Sequence, residues 1–379
     1  MQQTAAEGAI AGEEAGRQLG FKHGYHLGRC EAIRTRYTPV SPPPAPLRLM
    51  YVPQGFPAID QGIISALQRT VREVFVGSPQ HMLEQARQMK PDIVLVLNGL
   101  HVFPADHLQQ ISDIRGLGIR TAIWFADDPY FTDDTVGIAP HYDVVLTHEQ
   151  SCVPLYASLG CKRVAYLPLA ADTELFRPQH VEPKYRSDIC FIGMGFWNRI
   201  ELIDRIAPYL AGKRLVLAGG LWERLSHYKQ LSPHIRAGWV PIEETVKYYS
   251  GAKIVLNLHR GFLHETDNRN SRAIPAQSTN PRTYEMAACG AMQLTDLRAD
   301  LPRLYMPGQD MAVYQTPEEL IAKLEYYLSH EEERSRIAYN GLQRTLQQHS
   351  FLSRVSELLK LLGYAEASDV GIIKKEGGA

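Results

Sequence analysis

From Leu47 onward, short apolar runs alternate with stretches of helical spacing. Leu47–Val52 predicts a strand that ends in Pro53 and Gly55, and helical spacing follows over Ile63–Arg72. Ile93–Leu97 is a five-residue apolar run rich in β-branched side chains, the pattern of a parallel strand buried on both faces. Thr121–Phe125 predicts the next strand and runs into Asp127-Asp128-Pro129. Val144–Leu146 follows, ending in Thr147-His148-Glu149, and Val164–Tyr166 closes the series. Strands alternating with helices predict a doubly wound parallel sheet.

After a proline-bearing connection from Pro168 to Tyr185, a second series starts afresh. Asp188–Ile192 leads into Gly193-Met194-Gly195, and Leu215–Ala218 leads into Gly219-Gly220. Further strands are expected over Ile235–Trp239 around Gly238, over Ile254–Leu256, and over Ala291–Thr295 after a helix containing Glu285. Helices over 317–328, 331–348 and 350–362 complete the pattern. Two Rossmann-like halves enclose a cleft, and in open α/β sheets ligands bind at the carboxyl ends of the strands. The expected organisation is a glycine-rich helical segment and proline linker over 1–46, a first Rossmann-like domain over 47–180, a second over 181–349, and a terminal helix that crosses back, with a tail, over 350–379.

Glycines at 8, 12, 16, 20, 24 and 28 recur every fourth residue. On a helix they form one stripe that admits close backbone approach. Glycine costs a helix about 0.8–1 kcal/mol relative to alanine, so the stripe is either a poorly ordered tail or a self-associating or docking helix over 8–28. Pro42, Pro43, Pro44 and Pro46 form a stiff linker beyond it.

Composition excludes several classes. Of 379 residues 45% are hydrophobic and 21% charged, which fits a folded globular chain. Forty basic and 41 acidic residues leave a net charge of −1, too little for a basic field that holds nucleic acid. No apolar run approaches the roughly 18 residues of a transmembrane helix. Met1–Ala15 lacks the cationic start and apolar core of a secretory signal. Five scattered cysteines without a CxxC pair suggest neither a zinc site nor a disulfide framework, and a cytoplasmic protein is expected.

The stretch Asn280–Ala291 carries the candidate chemistry. Asn280 suits a helix N-cap, Pro281 its first turn and Gly290 its end. Arg282 and Glu285 share one face near the N-terminus. There a carboxylate accepts vicinal ribose hydroxyls and an arginine meets phosphate. The alternative is a surface helix with an ordinary i,i+3 pair.

In order and spacing, Trp124–Pro129, Phe191–Met194, Leu256–His259, Asn280-x-Arg282-x-x-Glu285 with Ala288–Gly290, Ala338 and Gln348–Phe351 resemble the CgeB-like spore maturation glycosyltransferases over roughly 47–362. Glu285–Gly290 is similar to the donor-binding element of GT-B enzymes. The resemblance implies the GT-B fold and a nucleoside diphosphate sugar, UDP- or TDP-linked, held by the second domain without a metal or other cofactor. Glu285 takes the ribose, Gly193 and Gly195 let backbone approach the diphosphate, and Arg199 and Arg282 neutralise it. Gly219, Gly220, Gly238 and Trp239 line the base pocket, while Asn280 and His259 complete the donor set. Gln277 stands where many retaining GT-B enzymes have a second glutamate, and an amide cannot act as a base.

For the acceptor side, Asp127, Asp128 and His148 at strand ends are the candidate bases. A GT-A reading with a metal-binding Asp pair is disfavoured because adjacent side chains on a strand point to opposite faces. The polar loop Arg260–Thr279 is expected to order over donor or acceptor. The expected function is sugar transfer to a hydroxyl of a glycan or protein acceptor, in a spore context. The alternatives are a non-catalytic glycan- or nucleotide-binding assembly protein and a nucleotide-sugar epimerase of the same fold.

Overall fold

The computed structural model describes residues 5–364; Met1–Thr4 and the tail from residue 365 lie outside the described residues. Helix α1 (Ala5–Arg36) leads into the first lobe. Its elements are β1 (Ala45–Val52), α2 (Pro57–Thr70), β2 (Val71–Val76), α3 (Met82–Met89), β3 (Ile93–Leu97), α4 (His107–Gly116), β4 (Arg120–Phe125), α5 (Thr132–Ile138), β5 (Val144–Thr147), α6 (Cys152–Ser158) and β6 (Val164–Tyr166). The sheet is parallel throughout, in the order β2-β1-β3-β4-β5-β6. Leu97 pairs with Trp124 and Phe125 with Thr147, so the carboxyl ends of β3, β4 and β5 lie level and carry Asn98, Asp127 and His148 on one edge.

The second lobe holds β7 (Ser187–Ile192), α7 (Trp197–Leu210), β8 (Leu215–Gly219), α8 (Tyr228–Leu231), β9 (Ile235–Ala237), α9 (Ile242–Gly251), β10 (Ala252–Asn257), α10 (Arg282–Ala288), β11 (Gln293–Asp296), α11 (Leu301–Leu304), β12 (Ala312–Tyr314), α12 (Pro317–Ser329) and α13 (Glu331–Gln348). Its parallel order is β12-β11-β10-β7-β8-β9. Each sheet is sandwiched between two apolar layers.

Helix α14 (Phe351–Leu362) returns to the first lobe, where Phe351, Val355, Leu358, Leu359 and Leu362 join the layer under α2. Gly62 of α2 makes this possible, because a Cβ there would overlap the Phe351 ring.

Three expected boundaries move. The helix predicted to reach Arg72 ends at Thr70, and Val71–Val76 is an edge strand. Its outward Arg72 and Glu73 blunt the edge and hide the alternation. The strand around Gly238 stops at Ala237, and β11 starts at Gln293.

Helix α1 is a continuous helix, held by its C-terminal part. Cys30 and Tyr37 pack against Leu342 and Leu346 of α13, and Lys22 pairs with Glu331 at 2.7 Å. Cβ positions built on Gly12, Gly16, Gly20, Gly24 and Gly28 meet nothing within 4 Å, so this stripe faces open space rather than a backbone of its own chain.

Candidate functional site

Strand order in the second sheet reverses between β7 and β10, which opens a crevice at their carboxyl ends. Gly193 follows β7 there. A Cβ on Gly193 would lie 3.1 Å from Arg282 Nη1 and 3.3 Å from Arg199 Nη1, so the two guanidinium groups converge over this one glycine. Arg199, on the first turn of α7, is 1% exposed. Its Nη1 donates to the Met194 carbonyl at 2.8 Å, whereas Nε and Nη2 are buried without a partner. Burial and the neighbouring Arg282 hold its pKa well below the usual arginine value. Arg282 Nε is likewise buried without a partner. Charged donors left unsatisfied in a protein interior are costly unless an anion meets them.

Glu285 lies one turn further along α10 and is 8% exposed. It makes no ion pair with Arg282 within 4 Å, so the surface-pair alternative does not describe it. Burial pushes its carboxyl up to about 7, against the opposing pull of Arg282. Gly219 admits close approach of the neighbouring loop: a Cβ there would overlap the Gly193 carbonyl. Gly195 N–H donates to the Gly220 carbonyl at 2.8 Å, and Gly238 N–H to the Gly219 carbonyl at 3.2 Å, which ties the three glycine loops together. Trp239 beside them is 79% exposed. Asn280 is occupied by structure: its Oδ1 accepts the Thr283 N–H at 3.1 Å and its Nδ2 donates to Asn257 at 2.8 Å.

His259 follows β10. Its Nδ1 and backbone N–H both reach Asp296 Oδ1, at 2.7 and 2.9 Å, and its buried Nε2 has no partner. Burial pushes the imidazole down to about 4, although Asp296 pulls the other way. Burial also opposes ionisation of Asp296, but His259 and Arg298 hold its carboxyl well below the usual range. A neutral ring with its proton on Nδ1 presents Nε2 as an acceptor, suited to a hydroxyl rather than to a phosphate oxygen. Asp296 and Arg298 were not singled out from sequence; their position at the end of β11, level with Asn257, places them here.

On the first lobe the two adjacent aspartates lie in the turn beyond β4, and their side chains take different partners. Asp128 is buried, and its carboxylate accepts hydroxyls from Thr147 at 2.6 Å and Tyr156 at 2.8 and 2.9 Å. Burial pushes it up to about 6, against those hydrogen bonds. These are the contacts of a carboxylate that fixes loops, not of one turned to the cleft. Asp127 Oδ2 accepts Asn98 Nδ2 at 2.8 Å and lies 3.7 Å from His101 Nε2. His148 is buried; its Nε2 donates to the Asp128 carbonyl at 2.8 Å and its Nδ1 is unpartnered.

The loop over 260–280 crosses from the second lobe and docks on the first. Arg269 grips Asp134 at 2.6 and 2.7 Å, and its backbone N–H donates to the Tyr130 carbonyl. Glu149 accepts the Gln277 and Ser278 amides, each at 3.0 Å. The Arg260 guanidinium sits over Tyr130 and Phe196, 4.5 and 4.3 Å from the ring centroids, one ring from each lobe. Sequence places Glu149 at a strand end and Arg260 at the start of the polar loop, but gives neither a partner, because those partners are remote along the chain.

A depression of about 450 Å³ lined by Arg115, Arg120, Asp143 and Arg163 lies at the amino ends of the first sheet's strands, away from this crevice. Among the described residues no helix is long and apolar enough to cross a membrane.

Comparison with known proteins agrees with the geometry. The glycosyl transferase-like family matches residues 199–360. Spore protein CgeB of Bacillus subtilis (strain 168) is 30% identical over 314 residues, 80% of this chain and 95% of that protein. Among solved structures, Anabaena HepE in complex with UDP and glucose superposes with a TM-score of 0.58 at 10% identity, covering 84% of this chain and 99% of that one. The catalytic domain of Arabidopsis thaliana starch synthase IV bound to ADP and acarbose gives 0.57 at 11% identity, over 84% and 99%. Two parallel six-stranded lobes with this crevice are the GT-B fold. On its sequence match, the chain belongs to the CgeB family of glycosyl transferase-like proteins.

Proposed function

We propose that the protein transfers a glycosyl group from a nucleoside diphosphate sugar to a hydroxyl acceptor. The observation that carries this reading is the pair Arg199 and Arg282 over Gly193, in which Arg199 Nε and Nη2 and Arg282 Nε are buried without protein acceptors. A diphosphate supplies those acceptors, and its leaving charge is stabilised where the donors already point. Glu285 accepts the ribose hydroxyls, and His259 Nε2 accepts a hydroxyl of the ligand. The anomeric carbon then faces the first lobe, where Asp127 borders the acceptor's approach. A UDP- or TDP-sugar is the preferred donor, and a spore-surface glycan or protein the acceptor, by analogy with the spore relative. Transfer proceeds without a metal, so activity is expected to survive a chelator. The exposed glycine stripe of α1, with Phe21 74% exposed beside it, fits self-association.

The test is a thermal-shift screen against UDP, GDP, TDP and their glucose conjugates, followed by assay of nucleotide release. Binding with turnover supports the transferase. Binding without turnover supports the assembly-protein reading, and interconversion of the sugar without an acceptor supports the epimerase. Absence of any nucleotide-dependent shift overturns all three nucleotide readings.

A further inference from the structure

Strand order in the first sheet reverses between β1 and β3, so its crevice lies between the loop after Val52 and the loop after Leu97. The second of these loops carries three residues with left-handed backbone. Asn98 and His101 have positive φ values of 63° and 55°, and Gly99 between them has 67°. Non-glycine residues adopt that region at a cost of about 1 kcal/mol or more each, and such strain gathers at functional sites.

Two side chains hold the loop in place. Gln54, buried on the facing loop, clamps Leu100 from both sides: its Oε1 accepts the Leu100 N–H at 3.1 Å and its Nε2 donates to the Leu100 carbonyl at 2.8 Å. Asn98 accepts the N–H groups of Ala126 and Asp127 at 3.0 and 3.1 Å and donates to Asp127 Oδ2. His101 and the Asp127 carboxylate are therefore set against each other by backbone. Their 3.7 Å separation is that of an ion pair, and catalytic contacts in ligand-free structures commonly tighten on binding. The His101 and Phe131 rings meet edge-on with centroids 4.7 Å apart, and the Phe131 centroid lies 5.5 Å from the Arg260 guanidinium of the other lobe. This puts His101, half exposed, at the interlobe cleft.

We propose that His101 is the base that takes the acceptor's proton and that Asp127 is its positioning residue. The inference rests on the transferase reading above and names the proton acceptor for it. With Nε2–H turned to Asp127, Nδ1 carries the lone pair. The acceptor oxygen forms its bond to the anomeric carbon as the bond from that carbon to the β-phosphate oxygen breaks. The breaking bond's electron pair stays on the nucleoside diphosphate, and the hydroxyl proton passes to His101 Nδ1. The imidazolium is stabilised by Asp127 and loses its proton to solvent. An imidazole is the stronger base at neutral pH, and Asp127 Oδ2 is already engaged by Asn98. The charged groups facing the ring are Asp127, Asp134 and Arg260. Asp127 raises its pKa most and Asp134 adds to that, while burial and Arg260 oppose.

The test uses the full chain, with UDP-, GDP- and TDP-glucose as donors and nucleotide release as the assay. His101→Gln is expected to lower kcat about 10²-fold, leave KM for the donor unchanged and remove the acidic limb of the pH–rate profile. Asp127→Asn is expected to move that limb to lower pH, and the His101 ring signal in NMR titration with it. Both variants should keep the wild-type thermal shift with the corresponding nucleotide. Wild-type kcat and pH profile in His101→Gln, or an unmoved His101 titration in Asp127→Asn, would overturn the pair. Loss of nucleotide binding in the wild-type protein would instead overturn the donor reading, and the pair with it.

Discussion

Glu149, at the end of β5 in the first lobe, accepts the backbone N–H of Ser278 from the second lobe at 3.0 Å, and the Ser278 hydroxyl as well at 3.2 Å. The same carboxylate accepts Gln277 N–H and the Ser151 N–H and hydroxyl. One buried side chain thus fastens the crossing loop across the cleft. Removing it leaves several amides unpaired, each costing about 1–3 kcal/mol. Glu149→Ala is expected to lower stability by about 3 kcal/mol in denaturant unfolding. It should also speed amide exchange at Gln277 and Ser278 before the rest of the chain.

Glu285→Gln separates binding from folding. The substitution removes a carboxylate that burial disfavours but keeps the shape. Affinity for the nucleotide is expected to fall about 10- to 100-fold in calorimetry, the size of a lost hydrogen-bond pair to a charged group.

The same variant carries a pH signature. The folded carboxyl titrates at about 7, against an ordinary value of 4.5. Its stabilising contribution is complete below the lower value and is lost as pH rises through the upper one. The Glu285 contribution should therefore decline between about pH 4.5 and about pH 7, and the difference between the wild-type and Glu285→Gln stability curves should show that decline. Asp128, at about 6, adds to the same trend.

Acid acts through the histidines. His259 and His107 titrate at about 4 and His349 at about 3, all pushed down first by burial from 6.5. Their contribution is present above 6.5 and lost as pH falls through the folded values. Thermal melts in this acid range should show His259→Asn less pH-sensitive than the wild-type protein.

Arg199→Met tests the anion site without emptying the interior. A buried guanidinium with unpartnered donors is replaced by an apolar chain, a change that is often neutral or stabilising. The expected result is an unchanged or higher Tm together with loss of the thermal shift on adding nucleotide.

Much of this was legible because it is local. The strand runs and the terminal helix follow from apolar periodicity, and the interlobe connection from its prolines. Asp127 and Asp128 were expected at a strand end, but they lie in the turn beyond β4, and only the tertiary fold shows that Thr147 and Tyr156 claim the second. Edge strand β2 was hidden because Val71 continues the apolar spacing of α2 while Arg72 and Glu73 face solvent. The His259–Asp296 pair and the Glu149 clamp span 37 and 129 residues of chain, beyond any spacing rule. The stripe on α1 is legible as a repeat, but the repeat does not say what it faces.

Helix α14 has a consequence for how the chain matures. The first lobe's inner layer waits for Phe351 to Leu362, which leave the ribosome after the whole second lobe. The later-made half can therefore be finished while the earlier-made half still shows an uncovered α2, and cutting the chain after residue 349 should injure the lobe farthest from the cut in sequence.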